Sequence, residues 1–146
     1  MSEPRSIAVR RKLRASREAV DAFCAELRAG LLAGLPARER FATELLLREA
    51  LMNAVAHGAK PAKTPEIRCQ VRLVAGGVEI RVHDNGRGFD WRNLPKVEPP
   101  VFQESGRGLL ILHRYASQVR FSAKGNQVEM TRMFCEGNNN EPSDEP

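Results

Sequence analysis

The sequence predicts an α+β sandwich, a sheet with helices on one face, from three observations. Five short segments alternate apolar and polar residues at the period of a half-buried strand. Two longer runs between the first and second of these segments repeat apolar residues at helical spacing. The element order is strand, two helices, hairpin, long loop, helix, hairpin, with no internal repeat.

In chain order, residues 6–14 place Ile7, Val9 and Leu13 on one side and Arg10, Lys12 and Arg14 on the other. Ser16 suits the N-cap of a helix whose apolar positions are Val20, Phe23, Cys24, Leu27 and Leu31, ended by Gly34 and Pro36. A second, longer helix runs from Ala37 to His57, followed by the connector Lys60–Pro65. Ile67, Cys69, Val71 and Leu73 then alternate with Arg68, Gln70 and Arg72. Gly76-Gly77 reads as a two-residue hairpin turn into the strand Val78, Ile80, Val82. Residues 85–105 lack periodicity and contain Pro95, Pro99 and Pro100, a length that suits a lid or binding loop. A helix from Arg107 to Ser117 follows, then strands 119–123 and 128–132 joined at Gly125-Asn126. The acidic stretch 136–146 reads as a disordered tail behind a single domain of residues 1–135.

Composition narrows the classes. At 42% hydrophobic and 28% charged, the chain has ordinary globular balance and no apolar run of membrane length. The N-terminus lacks the apolar core of a signal peptide, so the cytoplasm is the expected compartment. Cys24, Cys69 and Cys135 are odd in number and scattered, which fits reduced thiols better than a disulfide framework or zinc site. The last eleven residues hold four acids and no Lys or Arg, so the other 135 carry +9, four more than the chain's +5. A basic body suits an acidic surface or nucleotide phosphates. With 5% aromatics and no interleaved Lys/aromatic stretch, direct nucleic acid binding is not expected.

Three motifs carry chemistry. In Glu49-Ala-Leu-Met-Asn53-Ala-Val-Ala-His57-Gly58, residues four apart put Glu49, Asn53 and His57 in one row, with Leu47, Leu51, Ala54 and Val55 opposite. Burying such groups without partners costs ~2 kcal/mol or more each, so the row points toward a ligand cavity. It also suits a hydrogen-bonded core row on a helix capped by Gly58. Asp84 continues the inward phase of Val78, Ile80 and Val82 and opens Asp84-Asn-Gly86-Arg-Gly88. An inward carboxylate suits an amino group on a flat ring, and adjacent glycines let backbone approach it. Ser105-Gly106-Arg107-Gly108-Leu109 opens a helix, where free N–H groups and the helix dipole favour a phosphate. There is no P-loop or dinucleotide fingerprint.

In this order and spacing, over residues 5–135, the motifs resemble the GHKL ATP-binding superfamily, which includes gyrase and the histidine kinases. Within it, Glu49-Ala ahead of Asn53-Ala and His57-Gly58 looks like the anti-sigma-factor serine/threonine kinases of partner-switching systems. The resemblance implies a Bergerat-type two-layer sandwich with a mixed, mostly antiparallel sheet and a short ATP lid. It implies ATP and Mg²⁺ as cofactors, with Asn53 as the metal ligand and Glu49 as the catalytic general base. His57 and Gly58 would support the phosphate side, and Asp84 would read adenine above a floor shaped by Gly86 and Gly88. Ser105, Gly106, Gly108 and Leu109 would form the phosphate-contacting end of the lid, and Arg107 is a candidate phosphate contact. Many relatives place a threonine after the glycine of the last hairpin, where this chain has Asn126 and Gln127. No lysine stands in the second glycine motif, and Glu104 precedes it.

The expected function is therefore an ATP-dependent serine/threonine protein kinase that acts as an anti-sigma factor. Its expected partners are a sigma factor, a small antagonist that it phosphorylates, and a second copy in a homodimer, without a membrane. The alternative is a non-catalytic module that binds partners under ATP control. Retention of Glu49 favours the kinase.

Overall fold

A hairpin of two long strands forms the centre of the sheet, and its turn is built by glycine. In the computed structural model, which describes residues 7–58, 63–86 and 111–135 without the side chains of 57 and 58, β2 (Glu66–Val74) pairs antiparallel with β3 (Gly77–Asp84). Val74 lies opposite Gly77, so the two turn residues are Ala75 and Gly76, one position earlier than the sequence suggests. Gly76 takes φ 75°, a region in which other residues are strained. Gly77 is the first residue of β3, where an added Cβ would lie 2.5 Å from the Arg132 carbonyl oxygen.

The edge strand β1 (Ile7–Arg14) joins β2, while β5 (Gln127–Met133) joins the far side of β3 and carries β4 (Gln118–Phe121) outside it. The sheet order is β1-β2-β3-β5-β4. The expected mixed, mostly antiparallel sheet is antiparallel in every described pairing.

One face of this sheet is buried. The register aligns Leu13, Ile67 and Asp84 in one row, Cys69, Val82 and Val128 in a second, and Val71, Ile80 and Met130 in a third. These pack with α1 (Arg17–Ala29) and α2 (Ala37–Asn53) into a single core. Ser16 caps α1, its hydroxyl accepting from the Ala19 N–H at 3.1 Å. The helix is capped by Gly30 rather than ended at Gly34: the Gly30 N–H bonds the Glu26 and Leu27 carbonyls, and the Leu32 N–H folds back onto Leu27 in place of a helical bond. Leu32, beyond the helix, takes the fully buried place expected of Leu31. Three ion pairs hold the helices in place: Arg11–Glu26 ties β1 to α1, while Arg28–Glu44 and Arg48–Asp21 tie α1 to α2.

Besides Asp84, two charged residues of the described strands lie on the buried face. Arg11 shares the phase of Val9 and Leu13 at the sheet edge, where its guanidinium sits 5.6 Å over the Phe23 ring. Arg132 shares the phase of Val128 and Met130 and bonds the buried Glu39 of α2 at 2.8 Å and the Tyr115 carbonyl at 2.7 Å. Glu39 also accepts from the Cys135 N–H, so this pair joins α2, β5 and the helical residues 111–115. The helix expected to reach Ser117 stops at Tyr115. Ser117 instead donates its N–H to Thr131 and accepts from the Met133 N–H.

Among the described residues no helix is long and apolar enough to cross a membrane. Cys24 and Cys69 are buried, and burial pushes both thiols up, which suits their reading as inert core residues; Cys135 is exposed. Most of the expected lid, 87–105, and the expected tail, 136–146, lie outside the described residues.

Candidate functional site

The cleft on the buried side forms where the organising helix changes character. From Glu39 to Ala54 its buried residues recur at three- and four-residue steps, which fixes the helix against β3. At Asn53 the α-helix ends, and Ala54–Gly58 continues as a π-helix rather than the uniform helix expected up to His57. Wider turns of this kind recur at functional sites because they re-aim side chains. Asn53 is half-buried and lines a cleft with Ala50 and Ala54. Opposite stand Val82 and Asp84 from the end of β3. Leu112, Phe121, Gly125, Asn126, Gln127 and Val128 complete the walls. Asn53 and Asp84, thirty-one positions apart in sequence, thus face one space.

Asp84 is 4% exposed, in the inward phase the alternation predicts. Its Oδ1 accepts from the Gly86 N–H at 2.8 Å, and its own N–H donates to the Asn126 carbonyl at 2.9 Å. Among the described residues nothing donates to Oδ2. Burial raises the carboxyl above its ordinary 3.8, opposed by the Gly86 N–H and by the nearby His83 and Lys124. A carboxylate oxygen without a donor among the described residues, beside apolar Val82, Phe121 and Leu112, can take an amino group on a flat ring.

Asn126 fixes the hairpin over this carboxylate. Its side chain accepts from the Ser122 hydroxyl at 3.1 Å and lies 3.3 Å from His83 Nε2. The sequence places Asn126 at the turn but does not reveal this clip, which depends on a cross-sheet neighbour. Phe121 falls within the expected strand 119–123, and only the fold makes it a wall of the cleft.

The other expected site residues fall as follows. Glu49, one turn before Asn53, is half-buried and outside the cleft lining. His57 and Gly58 belong to the π-helix, their side chains undescribed. Gly86 supplies the N–H to Asp84. Gly88, Ser105, Gly106, Arg107, Gly108 and Leu109 lie outside the described residues. No group of three or more His, Cys, Asp or Glu side chains suited to a metal occurs among the described residues, so a cation here would need ligand oxygens beside Asn53.

Residues 13–132 match the family described as "Histidine kinase-like ATPase domain". The chain belongs to that family. An ATPase domain implies ATP binding, in agreement with the superfamily expected from the three motifs. The chain is also 27% identical over 95 residues to proteins named "Anti-sigma F factor" from Clostridium botulinum strains Eklund 17B and Alaska E43. The matched stretch covers 59% of this chain and 65% of each relative, a little under two thirds of their length.

Proposed function

We propose that this ATPase domain is an ATP-dependent serine/threonine protein kinase that acts as an anti-sigma factor and phosphorylates a small antagonist protein. The observation that carries the reading is the convergence of Asn53 and Asp84 on one cleft, where the Asp84 Oδ2 has no donor among the described residues. The anti-sigma F factors it is similar to supply the regulatory context.

In this reading Asp84 Oδ2 accepts from the exocyclic amine of adenine, and Val82, Phe121 and Leu112 exclude water from the ring. Asn53 offers its carboxamide oxygen to Mg²⁺, which neutralises charge on the triphosphate. Glu49 takes the proton of an acceptor serine or threonine as its oxygen bonds the γ-phosphorus, while the bond to the bridging oxygen breaks and ADP leaves. His57, Gly58, Gly88, Ser105, Gly106, Arg107, Gly108 and Leu109 serve the phosphate side. The protein works in the cytoplasm as a homodimer bound to a sigma factor.

A second reading, a non-catalytic module gated by ATP, draws on the position of Glu49 outside the cleft lining. Transfer of γ-labelled phosphate from ATP–Mg²⁺ into lysate proteins of the source cell, with wild type beside Glu49→Ala, separates the two. A kinase labels a small protein on serine or threonine only with wild type, while both variants bind ATP. Equal ATP binding with no Glu49-dependent label overturns the kinase and leaves the module.

A further inference from the structure

The outer face of the sheet, on the far side from the nucleotide cleft, is basic and covered by no helix among the described residues. Strand register sets its composition. Arg10, Gln70, Arg81, Glu129 and Arg120 form one row across all five strands. Lys12, Arg68, His83 and Gln127 form the adjacent row across four. Arg10, Lys12, Arg68, Arg81 and Arg120 are exposed, and the first four line one shallow groove with His83 and no carboxylate residue.

The acids on this face do not neutralise it. Glu66 stands 3.9 Å from Lys12 and 3.8 Å from Arg68, at the rim, and Glu129 stands 3.6 Å from Arg81. Glu79 is taken by Arg72. Arg10 and Arg120, at opposite ends of one row, have no carboxylate partner among the described residues. Holding so many guanidinium groups on adjacent strands opposes pairing, since like charges across strands repel.

From this face we infer a docking surface for an acidic segment of another protein. Three features favour a protein over nucleic acid. No outward position of the register is Phe, Tyr or Trp, and the single His83 ring makes no platform for stacking successive bases. Glu66, Glu79 and Glu129 lie among the cations, which opposes a continuous run of phosphates and suits a mixed, net acidic protein surface. The face is a broad open sheet, which does not enter a duplex groove. A second copy of the chain is disfavoured because the basic faces of two copies would repel. The area, about 20 Å by 20 Å from strand spacing and rise, is below the ~800 Å² per partner of a stable interface. The contact is therefore transient and steered by charge, strongest at low salt. The cations of this face are separate from nucleotide use, since none of them lines the cleft, to which the two rows contribute Gln127 alone.

The test uses the full chain and a fluorescein-labelled oligoglutamate peptide of strand length, followed by anisotropy at low and physiological salt. The face variant Arg10→Gln/Arg81→Gln/Arg120→Gln is compared with Arg17→Gln/Lys63→Gln/Arg114→Gln, which removes equal charge from exposed positions elsewhere. The expected result is salt-sensitive binding weakened about tenfold in the face variant alone, with ATP binding unchanged in both. Equal weakening in the two variants overturns the proposal, since charge alone would then suffice. Tighter binding of a DNA duplex through the same three arginines reassigns the face to nucleic acid. Loss of a dimer in the face variant during gel filtration reassigns it to a second copy.

Discussion

Asp84 meets two opposing demands. Its burial favours the neutral acid, whereas the proposed acceptance from an adenine amine favours the carboxylate. Because the folded carboxyl lies above its ordinary 3.8, the folded chain keeps a proton that the unfolded chain has lost between these two values. Stability therefore falls as pH rises through that window, and the penalty is absent below 3.8. Asp84→Asn keeps the acceptor for the Gly86 N–H without the charge. It should raise the melting temperature at neutral pH, with the gain vanishing below the ordinary value, while ATP binding weakens more than tenfold. Melting scans across pH check the first part and calorimetry the second. Thr43 offers a simpler case: it is fully buried, and its hydroxyl has no hydrogen-bond partner among the described residues. Thr43→Val should stabilise the fold by about 1 kcal/mol in chemical denaturation.

At the scale of elements, the buried pair Glu39–Arg132 fastens α2 to β5 and, through the Tyr115 carbonyl, to the helix at 111–115. Removing one partner leaves a desolvated charge, so Arg132→Met should cost about 3 kcal/mol or more. The double variant Glu39→Leu/Arg132→Met should recover much of that loss, and a denaturant cycle measures both. Gly77→Ala should also destabilise by about 2 kcal/mol, since its Cβ would press on the backbone of β5 at 2.5 Å. The strands and the two long helices were legible because apolar period and turn residues agree with burial. Arg11 and Arg132 were not, since alternation assigns a charged residue outward and only the partners Glu26 and Glu39 make the inward phase tolerable. The end of α1 was misplaced for a related reason: Gly30 is a weaker stop signal than the Gly34/Pro36 pair, yet it is where the helix's last carbonyls find their donor.

At the scale of the molecule, the sheet divides two surfaces. Its inner face carries the core and, where β3 meets α2, the cleft proposed for the nucleotide; its outer face is basic and covered by no described helix. The polar row of α2 and the inward phase of Asp84 were readable from spacing, and together they led to the family that the chain matches over residues 13–132. Their meeting in one cleft was not readable, because it depends on the register β2↔β3↔β5 and on the Asn126 clip. Glu49 fits the row in sequence but stands outside the cleft lining, so its role rests on the phosphoryl-transfer experiment.

The most direct measurement is a calorimetric titration of the wild-type protein with ATP and with inosine triphosphate, which lacks the exocyclic amine. A hydrogen bond to a buried carboxylate is worth about 1.5–3 kcal/mol, so ATP should bind at least tenfold more tightly. That preference should disappear in Asp84→Asn. Equal affinity of the wild-type protein for the two nucleotides would contradict Asp84 as the adenine reader, and with it the central claim about this cleft.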